Sequence, residues 1–348
     1  MLTPEAKLEL ESQAYRIVGS HSAVKTCYWT KKMVKGGGGC YKLTFYGIMS
    51  NQCMQMTTSM SCANRCTFCW RGYKAPVSKE WKWGVDDPKD ILEGSEAAHH
   101  KLLVGFGGNE KASKVSFEKS KTIKHVALSL TGEPITYPRI NELIDLFHER
   151  GISTFLVTNA QYPKAIKNLK PITQLYLSVD APNKKLLKDI DVPLFMDYWE
   201  RMNQSLEYLA QKKQRKTIRL TAIKGMNMVE PENYAQLIEK GNPDFVEVKG
   251  YVFVGASRQR LTKTNMPYHK DVVAWCKELA PFLPDYDMVA EHISSRVVLF
   301  ARKSLKKDGV WKTWIDFPKF MELALSGKEF STDDYLVPTP KIHLGLKL

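Results

Sequence analysis

Acidic residues are missing from a long stretch near the amino terminus. Between Ser12 and Lys79 there is no Asp or Glu, while ten residues there are Lys or Arg. Ordinary acid content would put roughly seven carboxylates in that span. Their absence favours an anionic group or substrate nearby, which a carboxylate would repel; a basic surface that serves no ligand is the alternative. Long apolar runs are also missing, which excludes a transmembrane helix. The segment Met1 to Ser12 is acidic and helix-like, unlike a secretory leader. Cysteine is scarce outside one region: six of the seven lie between residues 27 and 69, and Cys276 stands alone. An odd, clustered set argues against a disulfide framework and for a reducing compartment, the cytoplasm. Hydrophobic residues make up 43% and charged residues 25%, as in a soluble globular protein. The formal charge of +14 calls for a polyanionic partner, with nucleic acid ahead of a membrane surface.

Three of the clustered cysteines read Cys62-Ala-Asn-Arg-Cys66-Thr-Phe-Cys69, followed by Trp70. This spacing suits an iron–sulfur cluster held by three thiolates. Clusters usually take four, so three leave one iron open for chemistry. A zinc site with one further ligand is the rival. Cys27, Cys40 and Cys53 are spaced by twelve residues each time, and Cys40 follows Gly36-Gly37-Gly38-Gly39. Glycines let backbone approach a bulky group closely. Three more thiolates without a fourth imply a second cluster, also with an open iron; three unrelated thiols on a flexible linker are the alternative. Cys276, in the helical-looking Asp271–Leu279, reads as a buried thiol.

After residue 52 strand-like and helix-like runs alternate. Strands are predicted at Cys53–Ser59, His125–Leu130, Ile152–Thr158, Gln174–Val179, Thr217–Ile223 and Phe245–Phe253. Asp87-Pro88 supplies an N-cap and a first-turn proline for a helix running to Gly105. Further helices are predicted at Arg139–Arg150, Pro193–Lys212 and Pro231–Lys240, with a mobile loop at Gly107–Ser120. Six β/α units of this kind predict a parallel sheet and an incomplete relative of the eight-unit barrel. Polar signals fall at strand carboxyl ends, where barrel enzymes build their sites: Cys62–Cys69, Gly132-Glu133-Pro134, Thr158-Asn159, Ser178 with Asp180, and Lys224-Gly225. Taken singly, Gly132-Glu133-Pro134 could be a turn, and Asn159 and Asp180 could be helix caps.

The cysteine motif after a first strand, with Gly-Glu-Pro after the second, resembles the radical S-adenosylmethionine superfamily. The resemblance implies an α/β, incomplete TIM-like (β/α)6 barrel at 53–300, with a cysteine-bearing extension at 1–52 and a carboxyl-terminal extension at 301–348. It further implies that Cys62, Cys66 and Cys69 hold a 4Fe-4S cluster with Trp70 packed beside it. Gly132, Glu133 and Pro134 would then bind the methionine amino group of S-adenosylmethionine. Thr158, Asn159, Ser178 and Asp180 would meet its carboxylate and ribose.

Together with Cys40-Tyr41-Lys42, the pattern resembles the tRNA 4-demethylwyosine synthases of wybutosine biosynthesis, in their stand-alone archaeal form. That family condenses N1-methylguanosine-37 of phenylalanine tRNA with a two-carbon unit from pyruvate. The resemblance implies a second 4Fe-4S cluster on Cys27, Cys40 and Cys53 and a Schiff base between Lys42 and pyruvate. A lysine among cations tends to have a lowered pKa; a solvated or phosphate-binding lysine is the alternative. It also implies a monomer and a separate electron-donor protein, since larger members carry a flavodoxin-like domain for which this chain has no room. Trp81-Lys82-Trp83, Arg71 to Lys74, Arg258, Arg260, Lys303, Lys306 and Lys307 are candidate tRNA contacts. The alternatives are a radical tRNA methylthiotransferase and a non-catalytic, metal-stabilised RNA-binding protein. The first normally carries its extra cysteines on a separate upstream domain, whereas here only eight residues separate Cys53 from Cys62.

Overall fold

The computed structural model describes residues 2–72 and 75–346. Its centre is one ten-stranded sheet that follows chain order except at one edge. The strands are β1 (Arg16–Val18), β2 (Ser22–Val24), β3 (Cys53–Thr57), β4 (His125–Leu128), β5 (Ser153–Thr158), β6 (Gln174–Ser178), β7 (Lys216–Ala222), β8 (Phe245–Gly250), β9 (Tyr286–His292) and β10 (Val297–Arg302). From β3 to β8 every neighbouring pair is parallel. These are the six strands expected, joined by helices that cover the outer face. Antiparallel β1 and β2 extend the sheet beside β3, and antiparallel β10 and β9 extend it beside β8. The architecture is the expected α/β partial barrel.

Alternation along each strand separates two cores, because successive side chains leave opposite faces. Met54, Val126, Leu156, Leu175, Ile218 and Val246 point outward into the layer beneath the helices. Phe155, Tyr176 and Phe245 point inward and pack on a short helix, Tyr41–Tyr46. That helix stops the floor of the barrel, with Phe45 and Tyr46 fully buried. Above this floor the inward positions turn polar: Gln55, Ser129, Ser178, Arg219, Thr221 and Lys249 line a cleft.

Several sequence expectations are corrected. The stretch 107–120 is not wholly a loop: Lys114–Ser120 is helical, capped by the Ser113 side chain and tied through Ser116 to the Met33 carbonyl. The helix expected from Pro193 begins at Tyr198. Residues before it pair with the cysteine loop instead, through an Asn64–Pro193 bridge and a Leu194 N–H donated to the Ala63 carbonyl. The last parallel strand ends at Gly250, three residues before the expected Phe253. Helices Pro163–Asn168 and Lys184–Asp191 were not anticipated. Cys276 is fully buried, as expected.

Candidate active site

The cysteine loop leaves β3 at the carboxyl end of the parallel strands and is fastened on two sides. Arg65 N–H donates to the carbonyls of Asp191 and Val192, and Thr67 N–H to that of Ile190. Opposite, Arg260 Nε donates to the Thr67 carbonyl at 2.9 Å, and its guanidinium also reaches the Cys69 carbonyl. Arg71 lies inside the loop, where its Nη1 donates to the carbonyls of Met60 at 3.0 Å and Pro76 at 3.3 Å. Burial alone would lower the Arg71 pKa, but the thiols of Cys62, Cys69 and Cys66 more than offset it and hold the guanidinium charged. Arg71 and Arg260 are therefore bound up with the loop, not presented to a partner. Tyr73 and Lys74 lie outside the described residues.

Two N–H groups point at the Cys62 sulfur, from Asn64 backbone and Asn159 Nδ2, each at 3.4 Å. Such donors favour a thiolate. Burial nevertheless pushes the free Cys62 thiol up to about 11 and Cys66 well above its ordinary range. A bound cation would be needed to hold these sulfurs ionised. Among the described residues, no three His, Cys, Asp or Glu side chains stand close enough to hold a single metal ion. Thiolates of a four-iron cluster bind separate irons and stand further apart.

Glu133 faces Cys62 across the cleft. Gly132 before it has φ +66°, and a Cβ there would sit 1.9 Å from the Ser59 carbonyl oxygen, so only glycine fits. The Glu133 N–H donates to the Ser61 carbonyl at 2.8 Å. One carboxylate oxygen accepts from Asn159 N–H at 2.9 Å, while Oε1 is buried without a partner. Burial pushes the carboxyl up to about 7, partly offset by the Asn159 N–H. An orphaned, half-neutralised carboxylate is what an ammonium group would satisfy. Asn159 also accepts from Gln161 N–H at 3.0 Å, so it is at once a turn cap and a link between Glu133 and Cys62. Thr158, whose buried hydroxyl acts on the Glu133 carboxylate and favours its ionised form, Ser178 and Asp180 line the same cleft, of about 590 Å³. Asp180 accepts from Thr221 N–H at 3.0 Å, and burial pushes it up to about 6.

Asp191 was missed by sequence reading. It ends the helix Lys184–Asp191, accepts from Asn64 Nδ2 at 3.3 Å and approaches Cys66. Burial and the charge of Asp180 push it well above the carboxylate range. The acid-free sequence around the cysteines therefore does not make an acid-free site: Glu133 and Asp180 arrive from loops after later strands, and Asp191 from a later helix. Arg71 reads in the sequence only as a possible RNA contact, and Asp191 carries no local signal.

Cys27, Cys40 and Cys53 come together at the other end of β3. The strand β3 is five residues long, roughly 16 Å from end to end. Cys27 and Cys40 each stand at the N-cap of a short helix, and Cys53 opens β3 facing inward. The three thiols and Lys42 act electrostatically on one another. Burial pushes Cys53 up to about 12, and Lys42 pulls against it. Lys42 Nζ stands 5.0 Å from the Tyr176 ring centroid and 5.7 Å from that of Phe155, inside the barrel. It is not a surface lysine. These three cysteines and Lys42 do not themselves line the 590 Å³ cleft; their neighbours Tyr28 and Gln55 do.

A family model described as the radical SAM superfamily matches residues 56–238, more than half the chain. The chain belongs to the radical S-adenosylmethionine superfamily. A second model, wyosine base formation, matches residues 240–302. The chain is 48% identical over 348 residues to the S-adenosyl-L-methionine-dependent tRNA 4-demethylwyosine synthase TYW1 of Mus musculus, covering 98% of this chain and 48% of that protein. It is 49% identical to the corresponding synthase of Oryza sativa subsp. japonica, covering 98% and 52%. It thus spans about half the length of the curated relatives it matches. Among solved structures, one described as TYW1 with a lysine–pyruvate adduct bound is similar at TM-score 0.79 and 34% identity, covering 87% of this chain and 97% of that one. Archaeal TYW1 is similar at TM-score 0.72 and 31% identity, covering 89% and 99%.

Membership of this superfamily implies S-adenosylmethionine and one 4Fe-4S cluster, and the donor set fits both: three thiols, one of them with two N–H donors, and a buried carboxylate with an orphaned oxygen. No helix among the described residues is long and apolar enough to cross a membrane. The remaining RNA candidates divide. Trp81 packs against His21 and Tyr137, with centroids at 4.7 and 5.8 Å. Lys303 and Lys307 lie near Asp287 and Asp333, and Arg258 stacks on Phe253.

A pH prediction follows from Glu133. To receive an ammonium group the carboxyl must be ionised, and burial has raised it to about 7. Below that pH binding must expel a proton, so S-adenosylmethionine affinity should fall as pH drops from about 8 to 6, by up to about tenfold. Equilibrium dialysis should show this slope in the wild type and its loss in Glu133→Gln, which binds weakly throughout.

Proposed function

We propose that the chain condenses N1-methylguanosine-37 of phenylalanine tRNA with two carbons of pyruvate to form 4-demethylwyosine, as a radical carbon–carbon lyase. The carrying observation is Lys42: a lysine inside the barrel, over the Tyr176 and Phe155 rings and acting on Cys40 and Cys53 of the second triple. The lysine–pyruvate adduct described for a structure 34% identical to this chain supports the same reading.

In this reading residues 1–52 bring Cys27, Cys40 and Lys42 under the barrel at 53–300, and 301–348 extend the surface available to tRNA. Cys62, Cys66 and Cys69 hold the cluster, while Glu133, Asn159, Thr158, Ser178 and Asp180 hold S-adenosylmethionine. When bound and reduced, that pair supplies a radical able to take hydrogen from a methyl group. Arg71 keeps positive charge against the thiolates. Cys27, Cys40 and Cys53 hold a second cluster. The Lys42 amine adds to the ketone carbon of pyruvate, water leaves with the ketone oxygen, and a cationic imine results. The carboxylate carbon is later given up. The buried walls around Lys42, Phe155 and Tyr176, exclude water that would hydrolyse the imine.

The test is direct. Protein reconstituted without oxygen is given reductant, S-adenosylmethionine, pyruvate and tRNA bearing N1-methylguanosine, and the digested tRNA is searched by mass spectrometry. A new tricyclic nucleoside is expected. If 5′-deoxyadenosine accumulates without it, the superfamily chemistry stands and this activity does not. Borohydride with labelled pyruvate should mark Lys42; a label elsewhere removes the Schiff-base assignment.

A further inference from the structure

A second lysine enters the barrel interior from the opposite wall. Lys249 lies on the inward face of β8, paired in register with Thr221 of β7 and Val297 of β10. Two residues along the β7–β8 ladder, on the same face, Arg219 pairs with Glu247. Both cations line the cleft. Lys249 Nζ donates to the Ser295 carbonyl at 3.0 Å and stands 6.0 Å from the ring centroid of Tyr41. Tyr41 lies between Cys40 and Lys42 in sequence and starts the helix that stops the floor. Among the described residues no carboxylate lies within ion-pair distance of Lys249, and Arg219 Nε is buried without a partner. The Glu247 carboxylate is drawn away to the Tyr46 hydroxyl, at 2.8 Å.

Buried cations with unspent hydrogen-bonding capacity are costly unless anions complete them. Glu247 and Asp180 are the fixed carboxylates that act on Arg219, yet they leave its Nε unpartnered, and among the described residues neither forms an ion pair with Lys249. A carboxylate can take two donors at once, one from each cation. We propose that Lys249 and Arg219 are the positioning residues for the carboxylate of the α-keto acid whose ketone meets Lys42. The inference rests on the pyruvate reading above. Lysines on opposite walls would then grip the two ends of one small molecule, carboxylate toward β7 and β8, ketone toward the helix Tyr41–Tyr46. Burial, with Arg219 beside it, pushes Lys249 down to about 7, so an incoming carboxylate would restore its charge.

The experiment uses the reconstituted holoprotein without tRNA. Labelled pyruvate is titrated, borohydride is added, and the modified Lys42 peptide is quantified by mass spectrometry. In Lys249→Met and in Arg219→Gln the half-saturating pyruvate should rise by at least about tenfold, and in Lys249→Arg by less. Iron content and far-ultraviolet circular dichroism identify variants that remain folded; a misfolded Lys249→Met leaves Arg219→Gln and Lys249→Arg to decide. Unchanged half-saturation in the folded variants overturns the inference, even where tRNA binding weakens, since the cations would then serve RNA phosphate. Label on Lys249 overturns it too, by making that lysine the nucleophile. No adduct in the wild type at saturating pyruvate removes the pyruvate reading itself, and the inference with it.

Discussion

Cys40→Ala protein, reconstituted without oxygen, should carry about four irons per chain where the wild type should carry about eight. Formation of the tricyclic base should fall by more than about a hundredfold, beyond the roughly 10–100-fold that loss of an outer-shell partner costs a metal site. The three thiols of the second triple reach one another from separate elements: the start of helix Tyr28–Val34, the start of helix Tyr41–Tyr46, and the start of β3. Removing one sulfur leaves the other two placed by their own backbones. Cys40 makes no side-chain cap bond, and its N–H is held by Ser50 Oγ at 2.9 Å, so alanine keeps the turn. The variant should therefore fold and fail for lack of a ligand. Iron and acid-labile sulfide counts with electron paramagnetic resonance check this. A wild-type count near four would remove the second cluster, and a Cys40→Ala count near eight would remove Cys40 from it.

Gly132→Ala should be among the most damaging single substitutions in the barrel. The residue has φ +66°, and its Cβ would meet the Ser59 carbonyl oxygen at 1.9 Å and the Met60 carbonyl carbon at 2.8 Å. Both obstacles are backbone. They cannot retreat, because the Met60 N–H is bonded to His21 and the Glu133 N–H to Ser61. The cost should be about 3 kcal/mol or more, combining overlap with left-handed backbone strain. Gly151→Ala is the control: φ is similar at +68°, but nothing lies within 4 Å, so strain alone costs about 1 kcal/mol. Denaturant midpoints of the two variants should separate these terms. Equal midpoints would mean that the loop after β4 yields freely and does not hold Glu133 in place.

The sequence was most informative where a signal is local. The order and approximate ends of the six parallel strands followed from runs of apolar residues bounded by turn chemistry. The Asp87-Pro88 helix start agrees with the structure, with Asp87 capping Lys89 N–H. The triple Cys62/Cys66/Cys69 carried its chemistry in its spacing, and Gly132 and Glu133 were legible as a pair once placed after a buried strand. The helix at Lys114–Ser120 was hidden because its stability comes from contacts with Met33 and Asn51, not from its own polar sequence.

Composition misled at one point for a clear reason. The absence of acids from Ser12 to Lys79 suggested a wholly basic surrounding for the cysteines, yet the fold carries Glu133, Asp180 and Asp191 to them from three later segments. Arg71 and Arg260, which read as RNA contacts, are spent on the loop's own carbonyls. Linear charge counting cannot see either, because parallel strands bring residues a hundred positions apart to one rim.

By itself, then, the chain determined the six strand-and-helix units and the first ligand triple, since each depends on neighbouring residues only; the need for glycine before Glu133 comes from the fold, which sets the Ser59 carbonyl against it. Tertiary structure alone decided what faces the inside of the barrel. The period of two along β5 to β8 puts Tyr176, Arg219, Glu247 and Lys249 on the inner wall, and the helix Tyr41–Tyr46 raises Lys42 toward them. Which cations share a cavity is a property of barrel closure, where strands distant in sequence turn one face to a common centre.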